Sequence, residues 1–349
     1  MSDGFRKSRR TLLTAAAAAT LSAPFVRANA ASKVLYINSW GGVWTRVEEE
    51  AFAKPFTKET GIEVRFVTPV SYAKMKAQVE SGNYEWDVTA LGAAEWMRAY
   101  YEGLVEPLDR TVVDPSKLYP NAIVADGLDF TSLGNVLCYR EDKYPNGGPK
   151  NWADYWDVQK FPGPRAMSTQ ATRVLAYALL ADGVPHDKIY PLDVDRAFRK
   201  LDQIKPHVKV WWTQGSQAEQ LLRDGEVYMN VLWSSRPNEV RKSGVPIGVV
   251  WDGALVVENY YGVIKGSPNK AFGWEFIKFV ADAKRQADWA KGTLYGPANP
   301  DAYKLLPPDV LDALPGSESH AKLIVRNDAE WEGKNAASIT ERFTAWLAA

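Results

Sequence analysis

The stretch Lys33-Val-Leu-Tyr-Ile-Asn-Ser39, followed by Trp40-Gly41-Gly42, decides the fold. Its apolar residues predict a strand over 33–39, and the Gly-Gly turn leads into a helix predicted over 43–60. Further segments of the same kind follow: a strand over 62–67, a helix over 71–81 and a strand over 87–90. Because strands and helices alternate, we predict a largely parallel sheet covered by helices on both faces.

The remaining chain repeats this pattern. Strands are predicted over 135–139, 208–211, 227–233 and 260–264, and helices over 169–182, 194–204, 216–224 and 271–281. A chain of 349 residues exceeds the size at which one core stops growing, so two lobes are expected. The 14 Trp and 16 Tyr residues suit a large core or a ligand cleft lined with aromatic rings.

The first thirty residues have the pattern of an export signal. Arg6, Lys7, Arg9 and Arg10 precede an apolar run over 12–23 that is too short to span a bilayer, and Ala28-Asn29-Ala30 is a small-residue cleavage pattern. We therefore predict a signal peptide over 1–30. The paired arginines are typical of twin-arginine signals, and an ordinary secretory signal is the alternative.

Composition excludes several classes of function. The chain has 42 basic and 42 acidic residues; five basic and one acidic residue lie in 1–30, which leaves about four net negative charges on the remainder. No basic run remains there, so neither nucleic acid nor an anionic membrane surface is an expected partner. Cys138, the one cysteine, cannot form an intramolecular disulfide.

Residues typical of enzymes are sparse. The three histidines are scattered and fit no metal-ligand spacing, and the sequence contains neither a nucleophile elbow nor a phosphate-binding loop. We therefore expect a binding protein that is not an enzyme and has no cofactor and no metal.

Four stretches together resemble the spermidine/putrescine-binding family of bacterial periplasmic solute-binding proteins. They span most of the chain in the family's order: Tyr36-Ile-Asn-Ser-Trp-Gly-Gly42, Tyr84-Glu-Trp-Asp-Val88 with Glu102-Gly-Leu-Val-Glu-Pro-Leu-Asp109, Pro149-Lys-Asn-Trp-Ala-Asp-Tyr-Trp-Asp157, and Tyr260-Tyr-Gly-Val-Ile-Lys-Gly-Ser-Pro-Asn269. Any one of them alone would be a weak signal.

The resemblance implies a two-lobed α/β flytrap of the type II periplasmic-binding-protein class, with two chain crossings that act as a hinge. We place the crossings near 134–140 and 257–262. The predicted lobes are 31–136 plus 260–310 and 137–259, with C-terminal helices over 311–349 packing on both. Such a protein would work in the periplasm as a monomer and deliver its solute to the membrane permease of an ABC importer.

The resemblance also implies a cleft in which aromatic walls and carboxylates hold a polyamine, as an ammonium group over a ring is favourable. Trp40 and Trp233 align with ring positions of the family's site. The acidic positions are absent, however, since Gly42, Tyr261 and the pair Ser168-Thr169 occupy them. Glu95, Asp252 and Glu258 are acids that could compensate. Ala94, beside Glu95, and Asn259, on the second crossing, complete the predicted walls.

An arginine suggests a different ligand. Arg236 follows Trp233, and its guanidinium suits a carboxylate, while Gly41 and Gly42 could present backbone amides to an anion. An ion pair of Arg236 with Glu239 or with the other lobe is the alternative. The sequence thus leaves two solutes open, a polyamine such as putrescine or spermidine and an ω-amino acid such as γ-aminobutyrate. A third possibility is a ferric-ion receptor that uses Tyr260 and Tyr261.

Overall fold

The computed structural model describes residues 33–120 and 122–349. The predicted signal peptide lies outside the described residues. Eleven strands form one mixed sheet: β1 (Val34–Asn38), β2 (Glu63–Val67), β3 (Val88–Gly92), β4 (Ile123–Val124), β5 (Gly127–Arg140), β6 (Arg165–Ser168), β7 (Val208–Trp212), β8 (Met229–Trp233), β9 (Ile247–Val263), β10 (Gly296–Pro297) and β11 (Ile324–Arg326). Their order is β2-β1-β3-β9-β5-β8-β6-β7, with β4 and β10 beside β5 and β11 beside β9.

Helices cover the sheet. They are α1 (Gly42–Glu48), which continues through a π-helical turn (Glu49–Ala53) into α2 (Lys54–Thr60), then α3 (Tyr72–Ser81), α4 (Ala93–Tyr101), α5 (Trp152–Trp156), α6 (Ala171–Ala181), α7 (Val194–Ile204), α8 (Gly215–Arg223), α9 (Arg236–Lys242), α10 (Lys270–Val280), α11 (Ala283–Thr293), α12 (Pro300–Tyr303), α13 (Pro308–Leu311) and α14 (Ala329–Ala348). Within the described ranges, none of these helices combines the length and the apolar character needed to cross a bilayer.

The first strands form as the alternation of strands and helices predicts. Strand β1 pairs in parallel with both β2 and β3, and its side chains Leu35 and Ile37 are fully buried because alternate residues of a strand point to the same face. The helix that follows β1 ends at Gly61, whose φ of 74° is readily adopted by glycine. These local rules place the carboxyl ends of β1 and β3 at one edge of the sheet.

Two long strands connect the halves of the molecule. β5 and β9 pair antiparallel over most of their lengths, so the two crossings implied by the family resemblance are present. The sequence predicts a strand only over 260–264, whereas β9 begins at Ile247. Pairing with β5 skips residues 251–254, where Gly253 has φ 70°, and part of that segment pairs with β11 instead. Because this interruption breaks the apolar periodicity, the sequence does not predict the first part of the strand.

Two large hydrophobic cores lie at opposite ends of these strands. The first core includes Leu35, Phe130, Tyr261 and Trp289, and the second core includes Val136, Trp152, Leu175 and Leu255. The α/β, two-lobed fold with two crossings is therefore confirmed, while the lobe boundaries at 136/137 and 259/260 stay predictions.

The C-terminal helix α14 touches both halves. Its Gly333 lies against Met97 of α4, and its buried Ile339 and Phe343 belong to the second core.

Gly262→Ala is expected to destabilise the protein by about 1–3 kcal/mol, because an added Cβ would overlap the indole of Trp96 and overpack a filled core. Trp96 cannot easily move, since it stacks on Tyr260 and its Nε1 donates to the Val124 carbonyl at 2.9 Å. Chemical denaturation measures the loss. Gly92→Ala is the matched control, because no atom lies within 4 Å of its added Cβ; equal losses for both variants would contradict the steric explanation.

Candidate functional site

A cleft of about 650 Å³ lies where strands of both halves end. Trp40 follows β1, Ala94 follows β3, Thr169 follows β6, and Trp233 is the last residue of β8; all four line this cleft. Because ligands of α/β proteins sit outside the carboxyl ends of strands, this cleft is the candidate binding site. Residues 257–259 of β9 form its floor, and α14 closes one side.

The structure brings together six of the eleven residues predicted to bind the solute. Those that line the cleft are Trp40, Ala94, Glu95, Thr169, Trp233 and Asn259. The other five, Gly41, Gly42, Ser168, Arg236 and Tyr261, are not among its lining residues. Ser168 is buried at the end of β6, where its Oγ accepts from the Gln170 amide at 3.3 Å.

Tryptophan rings form opposite walls of the cleft. Trp40 is 40% exposed and meets Trp44 edge-on, with ring centroids 6.5 Å apart. Trp233 meets Trp212 edge-on at 6.3 Å. A ring that is held by neighbours yet exposed on one face is a suitable surface for the methylene chain or the ammonium group of a ligand.

A fully buried carboxylate supports the Trp40 wall. The carboxylate of Glu48 accepts hydrogen bonds from Trp44 Nε1, at 2.9 Å, and from the hydroxyls of Ser39 and Tyr261. Desolvation raises the pKa of Glu48 to about 7, even though these three donors favour the charged form. Glu48 thereby fixes Trp44, which in turn packs against Trp40 at the cleft.

One backbone amide of the Gly41-Gly42 turn already forms a hydrogen bond within the protein. Its glycines have φ 88° and 61°, and the Gly41 amide donates to Thr45 Oγ1 at 3.0 Å. That amide is therefore engaged in this conformation, which argues against the predicted role of Gly41 in binding an anion. A role for Gly42 stays a prediction.

The arginine that faces the cleft is Arg173, a residue that the sequence reasoning missed. Arg236 lies on α9 and forms an ion pair with Glu219 of α8, so its predicted role in binding a carboxylate is not supported by its position. The Arg173 guanidinium lies 5.1 Å from the centroid of the Trp233 ring, and Nη1 is 3.5 Å from Asn135 Oδ1. Neither of these contacts is a carboxylate, which leaves the charge available to a ligand.

The sequence did contain a signal for Arg173. It lies in the first turn of α6, four residues after Thr169 at the end of a strand, and residues in that position face the ligand edge of an α/β sheet.

Two buried carboxylates line the same cleft as Arg173. Glu258, on β9, and Glu332, on α14, both line the cleft and are more than 90% buried. Desolvation raises the pKa of Glu258 to about 7, while nearby Arg326 lowers it. Desolvation also raises the pKa of Glu95. By contrast, Asp252 approaches His186, at 3.5 Å, and does not line the cleft.

The two tyrosines of the pair Tyr260-Tyr261 point away from each other, which does not favour an iron site. Successive residues of a strand point to opposite faces, so Tyr260 stacks on Trp96 whereas Tyr261 stacks on Phe130 and donates to Glu48. Burial raises the pKa of both phenols, which opposes formation of the phenolates that bind ferric iron. The described residues contain no group of three or more His, Cys, Asp or Glu that could hold a metal. The ferric-ion alternative is therefore not supported. Tyr261 is fully buried and does not line the cleft, so its contact with the solute stays a prediction.

The fold and the cleft define a solute receptor. Residues 51–315 match the family described as bacterial extracellular solute-binding protein, and the chain belongs to that family. The predicted resemblance is confirmed by the spermidine/putrescine-binding periplasmic protein of Escherichia coli, which is 24% identical over 76% of this chain and 79% of its own.

Two other proteins are more similar. The γ-aminobutyric acid-binding protein of Pseudomonas aeruginosa is 35% identical over 331 residues, which cover 92% of this chain and 93% of its own. The crystal structure of an ABC transporter substrate-binding protein from Bradyrhizobium japonicum is 32% identical and superposes with a TM-score of 0.86, covering 90% of this chain and 99% of that one. This chain is thus an extracytoplasmic solute-binding receptor of the ABC type.

Proposed function

We propose that this receptor binds an ω-amino acid of the γ-aminobutyrate type and delivers it to the membrane permease of an ABC importer. The observation that carries the proposal is the position of Arg173, a cation in the cleft whose contacts are an aromatic ring and an amide. A guanidinium in that setting suits a ligand carboxylate. A polyamine has no group that would use it, since two cations repel each other.

The charges that line the cleft suit a ligand with both an acid and an amine. Arg173, Glu258 and Glu332 all line it, and both of these glutamate side chains are more than 90% buried. An ω-amino acid carries a carboxylate and an ammonium group at the two ends of a methylene chain, so each end has a partner of opposite charge in this cleft.

The P. aeruginosa relative named for γ-aminobutyric acid supports this ligand, because its similarity extends over nearly the whole chain. The aromatic walls would enclose the methylene chain as the two halves close around it.

We also propose that residues 1–30 direct export to the periplasm and that the protein acts there as a monomer without enzymatic activity. Support comes from the basic and apolar pattern of that segment and from the receptor family to which the chain belongs.

Titration calorimetry of the purified protein tests the proposed ligand. γ-Aminobutyrate and 5-aminovalerate are expected to bind, while butyrate, n-butylamine and putrescine, each lacking one of the two charges, are expected to bind at least about tenfold more weakly. Tighter binding of putrescine than of γ-aminobutyrate would instead identify a polyamine receptor. Turnover of any of these compounds would contradict the non-enzymatic role.

A further inference from the structure

Three charged side chains meet where the crossing strands pass between the two cores. Asp129 lies on β5, Glu258 on β9 and Arg326 on β11, beside β9. Only 9% of Asp129 and 7% of Glu258 is exposed. Buried carboxylates of this kind are costly unless a cation is paired with them.

The cluster contains one cation and two buried acids. Arg326 Nη1 lies 3.2 Å from Glu258 Oε1, and about half of the Arg326 side chain remains exposed. Asp129 accepts a hydrogen bond from the Thr131 amide at 3.3 Å, and no salt bridge joins it to another described residue. Burial and the neighbouring Glu258 raise the pKa of Asp129, so one half-solvated guanidinium lies beside two buried acids whose ionised forms are both disfavoured.

Helix α14 adds a further acid beside this cluster. Glu332 of α14 is buried, accepts from the Tyr190 hydroxyl at 2.6 Å and lines the same cleft as Glu258. The amide of Asn327 lies between these two carboxylates. Two buried acids, Glu258 and Glu332, thus line the cleft, and Glu258 is the member of the cluster of Asp129, Glu258 and Arg326 that reaches it.

We propose that Glu258 receives the ammonium group of the solute, whose positive charge completes the cluster of Asp129, Glu258 and Arg326. This inference rests on the proposed function and assigns the amine end of that ligand. The site lacks the acidic residues of the polyamine-binding relatives. The inference explains how it still binds an amine, because Glu258 supplies a carboxylate from a different position of the second crossing strand, β9.

Proton release on binding is the measurable consequence. In the empty receptor, burial raises the pKa of Glu258 to about 7, and the facing groups are Asp129 and Glu332, which are acidic, and Arg326, which is basic. An arriving ammonium group favours the ionised carboxylate and displaces the proton. Affinity for an amine-bearing ligand is therefore expected to fall as the pH decreases below about 7, where Glu258 becomes protonated.

The experiment is titration of the full protein with γ-aminobutyrate in buffers of different ionisation enthalpy. We expect release of up to about one proton per ligand near pH 6 and almost none above about pH 8. Glu258→Gln is expected to weaken binding at least about tenfold and to abolish proton release. Asp252→Asn, a partly exposed acid on the same strand that approaches His186 and does not line the cleft, is the control and should bind as the unchanged protein does.

The outcomes separate the two proposals. If γ-aminobutyrate does not bind to the unchanged protein, the proposed function fails. If it binds but releases no proton near pH 6, or if Glu258→Gln binds it with unchanged affinity, the assignment of Glu258 is overturned while the function stands. Because proton release is measured on the unchanged protein, the test remains decisive even if Glu258→Gln does not fold.

Discussion

Arg173→Ala is expected to weaken the binding of γ-aminobutyrate by about 30-fold or more, the largest loss among substitutions in the cleft. Removing one partner of a buried charge pair costs about 2–5 kcal/mol, since the ligand carboxylate would be left desolvated without a counterion. Arg173 lies over the Trp233 ring, so its guanidinium is already held in place before the ligand arrives. Calorimetry with γ-aminobutyrate and n-butylamine measures the effect, and the amine is expected to lose little.

Arg236→Ala tests which arginine binds the ligand carboxylate, Arg173 as the structure suggests or Arg236 as the sequence predicts. Because Arg236 is paired with Glu219, its removal is expected to change affinity by less than about threefold, within the small range of partly exposed ion pairs. Arg199→Ala, an exposed position on α7, serves as a neutral control. A large loss with Arg236→Ala and none with Arg173→Ala would restore the original prediction for the carboxylate site.

Glu48→Ala is expected to lower the free energy of unfolding by about 3–5 kcal/mol. The substitution leaves three buried donors, on Ser39, Trp44 and Tyr261, without their acceptor, and it opens a cavity beneath the Trp40 wall. Urea denaturation followed by tryptophan fluorescence measures the loss. Glu49→Ala changes the next residue, which is exposed, and should change stability by less than about 0.5 kcal/mol.

Glu48→Gln gives this prediction a pH dependence. The unfolded chain ionises Glu48 near its ordinary pKa of 4.5, whereas the folded protein holds the proton until about pH 7. The unchanged protein should therefore lose stability relative to Glu48→Gln as the pH rises from 4.5 to about 7. A constant difference between the two proteins across that interval would contradict the buried acid.

The first third of the fold could be predicted from sequence because its signals are local. The helices predicted over 43–60 and 71–81 occur at Gly42–Thr60 and Tyr72–Ser81, each ended by a glycine with positive φ. The long strand β9 could not be predicted over its full length. Its residues 251–254 leave the ladder with β5, and such pairing depends on partners far away in the chain.

The candidate site was predictable in outline and not in detail. Trp40 and Trp233 follow from the rule that ligands lie at strand ends, and both line the cleft. Tyr261 was predicted to contact the ligand but packs on Phe130 in the core, since the sequence does not show which side of a doubly covered strand faces the ligand. The sequence alone does not show which of Arg236 and Arg173 binds the ligand carboxylate. In the structure Arg236 forms an ion pair with Glu219, whereas Arg173 lies over the Trp233 ring and remains available to the solute.

The C-terminal helix α14 changes how the two halves can move. It contacts α4 through Gly333 and the second core through Phe343, and it supplies Glu332, Ala336 and Thr340 to the cleft. Helix α14 is therefore a third connection between the two halves, in addition to β5 and β9. Any closure of the cleft around a solute must change the contacts of this helix with at least one half, so substitutions in α14 that lie outside the cleft are expected to affect ligand binding.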